Sequence, residues 1–126
     1  MQITIDGTNY RLNFGIKFIQ LMNDLHHTSQ SGMNIGMGLN QATLSLMSQD
    51  VIGLAEIIEC ATWINPKRPT KDQIYAYLEN DDTDITKLFK EIDKELKKSN
   101  VTKGTVKNLE KTIKAKQEQA MKMSSD

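Results

Sequence analysis

The stretch Asp50–Trp63 constrains the fold more than any other part of this chain. Val51, Leu54, Ala55, Ile58 and Thr62 recur at the i, i+3, i+4, i+7 spacing that gathers side chains on one helix face. Ile52, Ile57 and Ala61 widen that face until little of the helix is left for water. A helix apolar almost all round is expected at the centre of a fold, with neighbours on several sides. Ser48 or Asp50 can cap its start. Ile64-Asn65-Pro66 ends it, because proline has no amide hydrogen and disfavours helical geometry in the residue before it.

Around that helix, 126 residues suffice for one domain whose core needs neither metal nor disulfide. A hydrophobic share of 38% with 25% charged residues describes a soluble globular chain. No apolar run approaches the ~20 residues needed to span a bilayer. The start, Met1-Gln2-Ile3-Thr4, lacks the basic-then-apolar pattern of a signal peptide. Cys60 is the one cysteine, so no intramolecular disulfide can form, and its place in the central helix makes it a reduced, buried thiol.

The remaining elements follow from period and punctuation. Asp6-Gly7 supplies a two-residue hairpin turn. If Ile5 pairs with Thr8, then Ile3 faces Tyr10 and Met1 faces Leu12, with Gln2, Thr4, Asn9 and Arg11 on the other face. Two strands alone are marginal, so the apolar face must rest on helices. Phe14, Phe18, Ile19, Met22 and Leu25 predict a helix over Ile16–Leu25. The segment His26–Gly38, with three glycines among polar residues, reads as a loop, and Leu39–Ser48 as a short helix. Thr70 with Gln73 forms a capping box ahead of Ile74, Tyr77 and Leu78. Thr83 or Asp84 then starts a helix along Ile85, Leu88, Phe89, Ile92 and Leu96, with Lys97 and Lys98 at its end as the dipole prefers.

Beyond Ser99 the pattern thins. Val106, Leu109 and Ile113 give a narrow stripe, Gly104 interrupts it early, and Thr105–Met121 reads as a marginal helix that orders on a partner. The expected fold is therefore mainly α with a short N-terminal β-hairpin (α+β), a small multi-helix domain with a marginal C-terminal helical tail. Residues 1–98 are expected to form the hairpin and helical core, and residues 99–126 a basic, partly helical or disordered tail. Net charge is zero, but residues 1–96 hold 8 Lys and Arg against 13 acids, a net of −5. Residues 97–126 hold 8 Lys against 3 acids, a net of +5. That split permits head-to-tail self-association into a homo-oligomer; a solvated lysine-rich helix face explains it equally.

Catalytic chemistry is not written in the chain. His26-His27 is an adjacent pair without a Cys or carboxylate at a metal-ligand spacing, so two solvent-exposed loop histidines are expected and no metal site. The glycines of Gly32–Gly38 superficially resemble a phosphate-cradling loop, but no Lys-Ser/Thr follows and no strand leads in. With both histidines in one loop, no nucleophile-base arrangement can be drawn, and neither catalytic residue nor cofactor is expected. An acidic body argues against a nucleic-acid partner, although the lysine tail keeps a small helical DNA-binding or regulatory protein as the alternative. Met33 and Met37, with Met47 nearby, are flexible apolar side chains suited either to core filling or to an adaptable binding surface. The candidate partner-binding residues are Met33, Ile35, Met37 and Met47, with Lys103, Lys107, Lys111 and Lys114 on the tail.

A family pattern runs through the same residues. An Asp-Gly hairpin leads into Phe14–Ile19; then come Gly32–Leu39, Leu54–Ile58 and Ala61-Thr62-Trp63, Arg68-Pro69-Thr70 before Ile74, and Ile85–Ser99. In order and spacing, roughly residues 1–100 resemble the tail assembly chaperone family of long-tailed phages and prophages of Gram-positive bacteria. The resemblance implies a non-enzymatic protein of the host cytoplasm, made late in phage development and absent from the mature virion. It implies binding to the helical, aggregation-prone tape measure protein and recruitment of tail tube subunits. It also implies, for many such phages, a longer product made by ribosomal frameshift.

Overall fold

The computed structural model describes residues 1–124. Strands β1 (Gln2–Ile5) and β2 (Thr8–Arg11) form an antiparallel hairpin in which Ile5 pairs with Thr8 and Ile3 with Tyr10. Asp6 and Gly7 both have positive φ, as the tight turn between right-twisted strands requires. The expected register therefore holds. Ile3, Ile5, Tyr10 and Leu12 are buried, while Gln2, Thr4, Asn9 and Arg11 face solvent.

Among the described residues six α-helices follow: α1 (Ile16–Leu25), α2 (Gly38–Ser48), α3 (Val51–Ala61), α4 (Lys71–Glu79), α5 (Ile85–Lys98) and α6 (Lys103–Ser124). Asp50 is the cap of α3, accepting from the Ile52 amide. Thr70 and Gln73 form the reciprocal capping box of α4, and Asp84 caps α5. The fold is small and α+β, as its periodicities require. Helix α3 packs against α1, α2 and α4. Leu54, Ile57, Ile58 and Ala61 lose all solvent exposure there.

Close approach of α2 to its neighbours depends on two glycines. A Cβ on Gly38 would lie 2.5 Å from the Met22 Cβ and 2.7 Å from the Met22 carbonyl carbon. A Cβ on Gly53 would lie 2.1 Å from the Ser45 hydroxyl. Both positions are closed to side chains, so α1, α2 and α3 sit nearer together than ordinary residues allow. At the other end of α3, a 3₁₀ turn (Thr62–Ile64) precedes the proline. The Asn65 side chain there accepts from the Arg11 amide (3.0 Å) and donates to the Arg11 carbonyl (2.8 Å). Trp63 Nε1 donates to the Asn13 carbonyl, and the Asn13 amide donates to the Ala61 carbonyl. These bonds tie the outer strand of the hairpin to the helical core.

Three expectations are corrected. The segment read as a loop contains a second hairpin, β3 (His27–Gln30) with β4 (Met33–Gly36), turning at Ser31-Gly32 where both φ values are positive. Its strands show no alternation of burial because neither face is covered, so period gave no signal. Helix α3 is not buried throughout: Val51 and Ile52 in its first turn are 44% and 72% exposed. Helix α6 is a continuous 22-residue helix, longer at both ends than Thr105–Met121. Gly104 lies in its first turn, with open space where a side chain would be, so it interrupts nothing. Val106 is fully buried, Leu109 and Ile113 are half-buried, and every residue from Lys114 to Met123 is exposed.

The two ends of α3 should respond differently to truncation. Leu54→Ala is expected to lower unfolding free energy by about 2–5 kcal/mol. Ile52→Ala should change it by no more than about 0.5 kcal/mol. Urea titrations of the two variants beside the parent check the contrast.

Candidate partner-binding surface

The structure divides the candidate residues between two places. Met33 and Ile35 lie on β4 two residues apart, hence on one face of the second hairpin, and are 68% and 37% exposed. Met37 is the N-cap residue of α2 and is half-buried. The hairpin is carried by α1 and α3. The Asn23 side chain accepts from the Gly38 amide at 2.8 Å, and a Cβ on Gly36 would meet that same side chain at 2.3 Å. His26, at the foot of β3, bonds through Nε2 to a Glu56 carboxylate oxygen. The expectation of two solvent-exposed histidines is thus half corrected. His26 is partly buried and partnered, because the hairpin base folds against the Glu56 edge of α3, while His27 remains exposed.

Met47 belongs to the other group. A concavity of about 300 Å³ lies where the end of α2 meets α5 and α6, with Met47, Gln49, Phe89, Lys97 and Lys114 on its walls. A neighbouring depression of about 310 Å³ collects Lys107, Lys111 and Lys114. Lys103, at the start of α6, is exposed and does not line either hollow. Between the hollows sits an ionic staple: Lys97 Nζ is 2.8 Å from Asp93 and 2.9 Å from Glu110, joining α5 to α6. Hydrogen bonding to Asp93 and then Glu110 raises the Lys97 pKa above its ordinary value. Burial, with the adjacent Asp93 carboxylate, raises that of Glu110 despite the opposing pull of Lys97.

Sequence reasoning missed a third surface. Val51, Ile52, Ala55, Tyr75, Leu78 and Glu79 line an apolar groove of about 300 Å³ between α3 and α4. Its trace in the sequence is the surplus width of the α3 apolar face, which exceeds what the neighbouring helices cover. Cys60 is buried, and that burial, with the Glu59 charge, pushes its thiol up to about 12. Among the described residues no group of three or more His, Cys, Asp or Glu is placed to hold a metal ion. None of the helices described is long and apolar enough to cross a membrane.

A family model for the phage tail assembly chaperone protein, TAC, matches residues 2–120. The chain belongs to this family. No curated protein and no solved structure gives a significant match. The family match runs from β1 into the exposed part of α6, well past the residues 1–100 in which the resemblance was legible. This tail assembly chaperone is therefore defined over its basic helix as well as its core, and phage tail proteins are the partners its family indicates.

Two outcomes follow from the ionisable groups. At pH 8 Cys60 should not react with a thiol reagent in the native chaperone and should titrate as one thiol after unfolding, read by absorbance. The staple has a defined sign. Because the folded Lys97 pKa lies above the unfolded one, its stabilisation is complete below about 10.5 and is lost as pH rises through the folded value. Lys97→Met should lower the urea midpoint at neutral pH, by an equivalent of no more than about 1 kcal/mol. The gap from the parent should close above the lysine range.

Proposed function

We propose that this chaperone binds the tape measure protein of its phage, keeps it soluble and helps to recruit tail tube subunits around it, without catalysing a reaction. On this reading it works in the host cytoplasm and is absent from the mature virion. One observation carries the reading. The β3–β4 hairpin projects Met33 and Ile35 from a well-packed core, and no Asp, Glu, Lys or Arg occurs between His26 and Asn40. A two-stranded ribbon with all eight strand residues exposed gains little stability from its own chain. Its apolar and backbone groups are suited to reversible contact with a long apolar or amphipathic partner. Met47 and the lysines of α6 offer a second contact, softer and cationic, at the α2–α5–α6 concavity.

Co-expression with the tape measure protein tests this. The parent chaperone should move the tape measure protein into the soluble fraction. Met33→Glu with Ile35→Glu should abolish that gain while leaving the melting temperature unchanged, because both side chains lie outside the core. Equal solubilisation by parent and double variant would remove the hairpin from the binding surface. No solubilisation by the folded parent would remove the tape measure protein as its client.

A further inference from the structure

The two hollows beside α5 and α6 form one surface with an apolar part and a cationic part. The hollow at the end of α2 is lined by Leu46 and Phe89, both buried, by the half-buried Met47, and by Lys90 of α5 and Lys114 of α6. The second hollow collects Lys107, Lys111 and Lys114, and Lys97 and Glu110 line both. Across the joint lining five lysines stand against two acids, a net of +3. Those acids are already engaged: Lys97 holds Asp93 at 2.8 Å and Glu110 at 2.9 Å. Lys90, Lys107, Lys111 and Lys114 are exposed, and none of them forms an ion pair with another described residue. Lys107, Lys111 and Lys114 follow at i, i+4 and i+7, so they share one face of α6.

We propose that this double hollow is the docking site for an acidic amphipathic helix of a partner protein. Its carboxylates, at i, i+4 and i+7, meet Lys107, Lys111 and Lys114, and an apolar side chain beside them covers Met47. Charge chooses this occupant, because the lysines have no counterpart within the chain and an anionic partner supplies one. Spacing chooses a helix. The lysines repeat one turn apart, a rise of ~6 Å, and a second helix laid along α6 offers carboxylates at the same step. A phosphate backbone fits less well: it is charged at every step, and it meets Asp93, Glu110 and the −5 of residues 1–96 as well as the lysines. Met47 adds an unbranched apolar side chain that adapts to the shape laid on it. The site is the cationic contact already offered to a tail protein, here given its occupant, and it is separate from the Met33–Ile35 face.

Fluorescence anisotropy of the purified full chain with two labelled synthetic peptides is the experiment. Both peptides have about 20 residues, enough to form a helix, and the same leucine stripe, flanked by glutamates in one and by lysines in the other. The glutamate peptide should bind, the lysine peptide should not, and binding should weaken as salt rises. Lys107→Gln with Lys111→Gln and Lys114→Gln should weaken it roughly tenfold, with the melting temperature unchanged because the three side chains are exposed. Met33→Glu with Ile35→Glu should bind the glutamate peptide like the parent, so this contact and the hairpin's client are tested apart. Failure to bind the glutamate peptide overturns the proposal, as does equal binding of both peptides or a triple lysine variant that binds like the parent. A single-stranded oligonucleotide of about 20 nucleotides that binds more tightly than the peptide, and is lost in the triple variant, gives the surface to nucleic acid and overturns it too. So does self-association in sedimentation velocity that the triple variant abolishes while the peptide stays unbound.

Discussion

The burial of α3 is the constraint on which the rest of this fold depends. Leu54, Ile57 and Ile58 are sealed on all sides, and each such side chain stabilises the folded state by about 1.5–3 kcal/mol. That surface can be covered only if three helices converge on one. Convergence in turn requires backbones to pass closely, which is why glycine stands at Gly53 against Ser45 and at Gly38 against Met22. The N-terminal hairpin then closes the end of the cluster. It is held there by Asn65, which pairs with both backbone groups of Arg11 across 54 residues of sequence.

A core built this way leaves the proposed binding surface to elements that contribute little to it. The second hairpin touches the body only at its foot, through Asn23 and the His26–Glu56 contact. The distal half of α6 lies beyond the last half-buried residue of its stripe. Both elements can change partners without disturbing Leu54 or Ile58. That separation suits the reversible binding proposed for this chaperone. The Lys97 staple is the point where the two regimes meet, fixing the proximal part of α6 on α5.

How much of this was legible depended on whether an element buries a face. The register of β1–β2, the span of α1, the capping box of α4 and the stripe of α5 all write their burial into the period of apolar residues. The β3–β4 hairpin buries nothing, so its only marks were Ser31-Gly32 and the absence of charge, and it read as a loop. Glycines Gly36 and Gly38 likewise passed as punctuation although they mark close packing on α1. The α3–α4 groove was hidden for the opposite reason. Val51 and Ile52 have the residue types of a core and the right spacing, and only the position of α4 leaves them in water.

By itself, the sequence determined which segments become helices, which hairpin carries an apolar face, and that Asp50–Trp63 must sit at the centre. Those properties are local, since period, capping and turn chemistry act within a few residues. The tertiary structure alone decided which apolar residues stay uncovered and which charges meet. Whether Ile52 faces a groove, or Lys97 reaches Glu110, depends on where separate helices come to rest, and no spacing along the chain records that.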